Sequence, residues 1–450
     1  MRHPRKPTIV FLTAQWSNIG DRIRRGEPPG GVPSVWQIWT ECLANGFDVH
    51  VFMVMDLEGD CPKETLELGG VRFHWIDRPI RRLTDWLRSK RLQGILKIDW
   101  PILQAQMLYH IWRSGLRPDV VYAVRATYSI PAWLWCRLAG ARLVLRQYGT
   151  WLYYRWFQQP SWAERLRFIF SILPFKIPCD LHIMTNDGTS GDKVARWLGF
   201  PMKRFRFWLN GVDKSMRMDG FDAPAFKQQH GMPPDAPMLM TLGRLAYWKR
   251  LDRVLDAMPA VLREFPNVRL FILGDGPLRP ELEAQAGRLG VTESVTFVGA
   301  VGHDQIADYL NATDVYVQAH DLTNLCNTLI EALAAGCCIV TRDVGSTTEV
   351  VTDGQNAVIL RPGEADDLAL ATIRLLKDPD ERQRLREAAH EHAMRTFQTW
   401  DERMQMEVRE ISRLVRRSRR GHGTGEGQGQ GSPPSVAAGA ATGPSGSGDG

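Results

Sequence analysis

Two cations stand five residues apart just after an apolar run: Arg244 and Lys249 in Leu242-Gly-Arg-Leu-Ala-Tyr-Trp-Lys-Arg250. Pro237–Leu242 reads as a strand that ends at Gly243, so both side chains leave a loop at a strand's end. From there both reach one diphosphate, the arginine as a fork and the lysine as a point charge. Charge that builds on a departing phosphate is what fixed cations stabilise. The same spacing fits an ordinary solvated loop. A second group lies in AHDLTNLCNTLIEALAAGCCIVTRDVGSTTE, Ala319–Glu349. It reads as a strand end, a polar loop, a short helix, Gly336, a further strand and a turn. A loop feeding a helix N-terminus binds anions through free N–H groups and the helix dipole. Glu331, one turn in, suits the hydroxyls of a sugar or ribose. Thr328-Leu-Ile-Glu331 equally fits a capping box, in which Glu331 only bonds the helix entry, and residue physics leaves the two readings even.

Strands alternating with helices must position these groups. In the first half Thr8–Thr13, Asp48–Met53, Val71–Ile76, Pro118–Val124 and Arg142–Arg146 read as strands, with Leu181–Thr185 the last clear one. In the second, Pro237–Leu242, Val268–Leu273, Val295–Val298, Val315–Gln318, Cys338–Thr341 and Ala357–Leu360 do so. Such alternation implies parallel, doubly wound sheets. Asn210-Gly211 marks a turn near a boundary, giving residues 1–208 as a first Rossmann-like unit and 209–398 as a second. Charged helical sequence fills Asp378–Arg417, and 399–417 reads as a closing helix. Residues 418–450, rich in Gly, Ser, Pro and Ala, are expected to be disordered, because they bury too little surface to offset ordering entropy.

At 450 residues, 44% hydrophobic and 24% charged, the chain suits two globular domains. No apolar run approaches the roughly 18 residues of a membrane span. The seven cysteines lack metal-ligand spacing and suit a reducing compartment. The eleven histidines include no H-x-x-x-H pair, and neither a P-loop nor a G-x-S-x-G elbow is present. The missing G-x-G-x-x-G after the first strand counts against a dinucleotide oxidoreductase. The net charge of +6 divides unevenly: residues 1–210 carry 30 Lys/Arg against 17 Asp/Glu, the remainder 26 against 33. Fourteen of the 16 tryptophans precede residue 209. A basic, Trp-rich half points to an anionic or carbohydrate partner and to peripheral contact with an anionic membrane. The segment Arg81–Arg91 fits a membrane-surface helix or a helix packed on its own domain, and the aromatic run Trp151–Trp156 fits sugar stacking or core packing.

Taken together these segments resemble the family 4 retaining glycosyltransferases, over about residues 8–415 and more closely in the second half. Gly243-Arg-Leu…Lys249 resembles the family's phosphate-binding segment, with Arg250 where a glycine is usual. Phe271-Ile-Leu-Gly-Asp-Gly-Pro277 resembles its strand-end turn, read here as a turn or as a ligand contact. Gly299-Ala300-Val301 resembles the loop beside the nucleobase. The family's E-x7-E pair keeps only Glu331. Thr323 stands at the first position, with Asp321 two residues earlier as a candidate substitute, and Asn324-Leu325-Cys326-Asn327 replaces the usual interior. Glu349 and Gly354 match a further motif, and Trp400 resembles the residue that opens the closing helix. In the first half Gly30-Gly31-Val32 resembles the glycine loop beside diphosphate and acceptor. Gln147 and Tyr148 stand where relatives carry a sugar-contacting histidine.

The resemblance implies a GT-B fold: two Rossmann-like domains facing each other across a cleft. It implies retaining transfer from a nucleotide-diphosphate sugar to a glycan or lipid-linked acceptor, as in surface polysaccharide synthesis, at the cytoplasmic membrane face, with no metal and no nucleic acid. Arg244 and Lys249 would neutralise the diphosphate and Glu331 would hold the ribose. The loop Thr323–Asn327 would offer backbone N–H groups to sugar and phosphate. A GT-B nucleotide-sugar 2-epimerase and a non-catalytic nucleotide-sugar-binding scaffold are the alternative readings.

Overall fold

The structure is a computed structural model that describes residues 5–15, 19–29, 33–55, 64–77, 99–150, 152–153, 161–322, 325, 327–361 and 367–423. Gly30, Gly31, Thr323, Asn324, Cys326, the segment Arg81–Arg91 and most of the run Trp151–Trp156 lie outside the described residues.

Eight strands form the first sheet: β1 (Thr8–Ala14), β2 (Asp48–Met55), β3 (Leu66–Leu68), β4 (Val71–Asp77), β5 (Val120–Val124), β6 (Arg142–Gln147), β7 (Leu181–Thr185) and β8 (Phe205–Trp208). Their order is β3-β4-β2-β1-β5-β6-β7-β8. Six more form the second: β9 (Met238–Leu242), β10 (Arg269–Leu273), β11 (Val295–Gly299), β12 (Val315–Gln318), β13 (Ile339–Arg342) and β14 (Val358–Leu360), in the order β11-β10-β9-β12-β13-β14. Every pairing is parallel except β3 with β4. Val-Val-Tyr-Ala-Val of β5 and Met-Leu-Met-Thr-Leu of β9 are buried throughout, as strands covered by helices on both faces must be. Each sheet accordingly has an apolar cluster on either face. Strand order reverses between β1 and β5 and between β9 and β12. At such switch points the loops after the strands open a crevice for ligands.

Two edge strands correct the sequence reading. β3 is a three-residue antiparallel addition, and β8, not β7, is the last strand of the first sheet. β8 reads Phe-Arg-Phe-Trp with only Phe205 buried, so it carries too little apolar pattern to be seen alone.

The helix Trp400–Gly423 packs on the first sheet through Trp400, Met404, Val408, Ile411 and Val415, one helical stripe that joins the cluster around Trp39. It runs past Arg417, so the disordered stretch expected from residue 418 does not begin there. Glu407 enters the core with it, accepting from the Tyr122 hydroxyl and from Arg403 Nη1 (2.8 Å), with Arg146 Nε at 3.8 Å. Arg403 donates to the Leu209 carbonyl (3.1 Å) and stacks on Trp208. All three charged side chains are buried. The two passes between the domains touch at Gly211, where a Cβ would lie 2.5 Å from Trp400 Cα; Val212 N donates to the Gln398 carbonyl beside it.

Candidate active site

Gly243, at the end of β9, opens the loop that carries the two cations. Arg244 is exposed, with no hydrogen bond or ion pair among the described residues. Lys249 closes the short 3-10 turn Tyr247–Lys249 and is only 8% exposed. Its Nζ lies 3.4 Å from His320 Nδ1. Burial first, then Lys249, holds the His320 imidazole well below its usual range, so it stays neutral against the ammonium. Among the described residues no carboxylate pairs with Lys249. The Asp187 carboxyl of the first domain is near enough to feel the Lys249 charge but forms no ion pair with it, so the buried ammonium is only partly compensated, and an anionic ligand completes the compensation.

The turn Gly274-Asp-Gly-Pro277 braces this loop. Gly243 N donates to the Leu273 carbonyl, Leu245 N to the Asp275 carbonyl and Gly274 N to the Gly299 carbonyl (2.7 Å). A Cβ at Gly274 would fall 2.1 Å from the Gly243 oxygen, so close backbone approach demands glycine there. Of the two sequence readings, the bracing turn is the one these bonds build. Gly299 is thereby tied to the loop of Arg244, and Val301 packs against the second domain's core.

Arg250 has left-handed backbone, φ 48° and ψ 43°, which explains why the resembling motif uses glycine. Its guanidinium is clamped by Asp252 and by Asp321 (2.9 Å). Asp321 also pairs with Arg253 at 2.5 Å and Arg342 at 2.7 Å. Burial opposes its charge, and hydrogen bonds from Arg250 and Arg253 outweigh that, leaving the carboxyl below its usual range. This corrects the reading of Asp321 as a substitute for the missing glutamate: its oxygens are committed to three arginines.

Glu331 lies in the second turn of the helix Asn327–Ala334 and is 6% exposed. Thr328 falls inside that helix rather than at its N-cap, so the capping box is not formed. Burial first, then the Asp213 charge, raises the Glu331 carboxyl to about 7. The His303 imidazole lies near it, Nδ1 to Oε1 3.9 Å. Among the described residues it accepts no hydrogen bond, so a desolvated carboxyl waits for donors. Leu325 is buried in the second domain's core and anchors the preceding loop, leaving only its backbone for a ligand. Asn327 Oδ1 accepts from Asn210 Nδ2 (2.7 Å), tying the start of the helix to the interdomain linker.

On the first domain, Tyr148 is half-buried beneath the Arg146 guanidinium, 4.4 Å from its ring centroid. Gln147 is turned inward: its Oε1 bonds His182 Nε2 (3.0 Å), a ring that burial and then Arg146 keep neutral by lowering it to about 3. That oxygen is spent in the core, so the expectation of a cleft contact from Gln147 is corrected to its amide nitrogen at most. Two residues the sequence reading missed sit after β7. Asn186 Nδ2 donates to Glu349 Oε2 (2.8 Å), from one domain to the other. Asp187 Oδ1 accepts from Thr189 N and Oγ1, and its Oδ2 occupies the space where Gly149 lacks a Cβ. Burial raises Asp187 to about 6, against the hydrogen bonds from Thr189 and the Lys249 charge. The signal was available: Asn-Asp follows directly on a strand of a doubly wound sheet, where cleft residues sit. Among the described residues there is no group of three metal-ligating side chains.

Cations on the loop after β9, a desolvated carboxyl on the helix after β12 and two parallel sheets define a class, the two-domain GT-B proteins. Residues 29–215 match the family described as Glycosyltransferase Family 4, and residues 222–392 match Glycosyl transferases group 1. The chain belongs to this glycosyltransferase family. It is 28% identical over 163 residues to alpha-D-kanosaminyltransferase of Streptomyces kanamyceticus, covering 36% of this chain and 42% of that one. It is 32% identical over 165 residues to the lipopolysaccharide core biosynthesis glycosyltransferase LpsE of Rhizobium meliloti, covering 37% and 47%. The chain thus spans about half the length of the curated relatives it matches. Its fold is that of the sucrose-phosphate synthase from Thermosynechococcus elongatus, with TM-score 0.69, 18% identity and coverage of 92% and 100%. Anabaena HepE in complex with UDP-glucose superposes with TM-score 0.64, 18% identity and coverage of 90% and 99%.

Proposed function

We propose that the chain transfers a glycosyl group, with retention of configuration, from a nucleotide-diphosphate sugar to a glycan or lipid-linked acceptor in surface polysaccharide or glycoconjugate synthesis. One observation carries the reading: a buried lysine with no carboxylate partner among the described residues, beside an exposed arginine at the end of the same strand. The donor's diphosphate supplies the close counter-charge that Asp187, at longer range, does not. As the bond from the anomeric carbon to the β-phosphate oxygen breaks, negative charge grows on that phosphate, and Lys249 and Arg244 are already in place to meet it. Fixed cations and a helix N-terminus do the work of a divalent metal, so none is required. Glu331 takes the ribose hydroxyls, and its desolvation makes those hydrogen bonds strong. Tyr148, where relatives carry histidine, orients the sugar through its hydroxyl, since a phenol is no good base near neutral pH. The acceptor proton leaves with the phosphate oxygen.

Supporting this reading are the UDP-glucose complex of the HepE neighbour and the lipopolysaccharide core biosynthesis role of LpsE. Among the described residues no helix is long and apolar enough to cross a membrane. The proposed action at the inner face of the cytoplasmic membrane is through peripheral contact. The test is product analysis with nucleotide sugars and lipid-linked glycan acceptors. A new glycoside with the donor's anomeric configuration supports the proposal. An epimerised sugar without any acceptor, or binding without turnover across the panel, refutes it.

A further inference from the structure

Large apolar side chains exposed on this protein are not scattered. Among the described residues, six of the nine sit on four helices over one face of the first sheet. Four of them gather at one pole. Tyr109 and Trp112 lie near the end of the helix Asp99–Arg113, Leu138 near the end of Ser129–Ala139, and Trp197 at the end of Gly191–Trp197. Trp112 is 78% and Leu138 86% exposed. Helices in a parallel sheet run back against the strands, so these ends lie where β5, β6 and β8 begin, opposite the cleft.

A cationic groove opens at the same pole. Two adjoining cavities, about 400 Å³ and 420 Å³, share Arg142, Asp180 and Arg204. One adds Lys203, Arg206 and Arg413, the other Arg137 and Trp133. Asp180 pairs with Arg142, and Glu410 pairs with Arg206 and Arg413. Arg137, Lys203 and Arg204 have no carboxylate partner among the described residues.

We infer that this pole docks on an anionic phospholipid surface, with phosphoryl headgroups in the groove and Trp112 and Leu138 in the interfacial layer. The inference rests on the peripheral membrane contact proposed above and assigns it to a face. Unpaired cations attract an anionic leaflet, and exposed tryptophan beside them is what an interface takes up. A free phosphate would account for the groove but not for the bare Trp112 and Leu138. Docked this way, the cleft stands about 20 Å or more above the bilayer, the length of a six-residue strand. The sugar extended is therefore the distal end of a lipid-linked glycan, not the residue next to the lipid.

The test is flotation of the whole protein with phosphatidylglycerol-containing vesicles against pure phosphatidylcholine vesicles. The wild type is expected to float only with the anionic vesicles. Arg137→Gln/Lys203→Gln/Arg204→Gln should weaken binding about 100-fold, roughly fivefold per cation. Trp112→Ala/Leu138→Ala, two exposed positions that leave the fold intact, should lose roughly tenfold. Tyr247→Ala, an exposed aromatic of the second domain, is the unaffected control. Wild-type binding retained in both pole variants would overturn the assignment of the face and leave membrane contact standing. No wild-type binding would overturn both. Release by millimolar inorganic phosphate, with binding indifferent to Trp112 and Leu138, would mean a phosphate site and no docking face.

Discussion

Replacing Glu331 by glutamine should make the free protein more stable at pH 8 while disabling its donor site. Burial raises the Glu331 carboxyl from an ordinary 4.5 to about 7. The folded state therefore binds more protons than the unfolded state between those two values. Stability falls as pH rises through this window, and the loss is complete above the folded value. A shift of this size corresponds to an upper bound of about 3 kcal/mol, at 1.36 kcal/mol per unit. Glutamine has no charge to desolvate. Glu331→Gln should then melt higher than the wild type at pH 8, by up to roughly 10 °C for a domain of this size, and equally at pH 4.5. The same change removes charge-assisted bonds to the ribose, each worth ~1.5–3 kcal/mol, so nucleotide affinity should drop at least tenfold. The assay is a pair of melting series across pH, with and without nucleotide diphosphate. A variant less stable than wild type at pH 8, or one that binds nucleotide unchanged, would refute the reading of Glu331 as a desolvated ligand group.

Lys249→Met should leave melting intact or improved and lower kcat/KM by at least ~100-fold, the loss of about 3 kcal/mol of charge stabilisation, read by initial rates with a nucleotide sugar. Arg250→Gly should change stability by less than ~1 kcal/mol, because relief of the left-handed backbone offsets the lost ion pairs. Arg250→Ala, which keeps the strain and loses the pairs, should melt distinctly lower than the glycine variant. Glu407→Gln leaves Arg403 and Arg146 buried without their counter-charge and should destabilise by ~3–5 kcal/mol in denaturant unfolding.

Much of the architecture was legible because parallel strands buried on both faces are written as apolar runs. Val120–Val124 and Met238–Leu242 could hardly be anything else. The edge strands Leu66–Leu68 and Phe205–Trp208 were not, since each is short and half-covered, and its pairing is decided by a neighbour distant in sequence. The cations Arg244 and Lys249 were found from spacing after a strand, but their difference in burial was invisible. The capping box at Thr328 was locally valid and globally wrong, because the helix begins one residue before it. Asp321 looked free until the fold brought Arg253 and Arg342 to it. Asn186 and Asp187 needed knowledge of which strand ends face the second domain. Gln147 and Tyr148 are neighbours on one strand end, so alternation alone sends them to opposite faces. Only the partners His182 and Arg146 show what each does.

The most direct measurement is a thermal-shift panel of UDP, GDP, ADP and their sugar conjugates on the wild type, Lys249→Met and Glu331→Ala. The account predicts that one nucleotide stabilises the wild type, by about 2.7 kcal/mol at ~100 times its dissociation constant, and that both variants lose the shift. No shift with any nucleotide in the wild type, or a shift kept in both variants, would contradict the donor site described here.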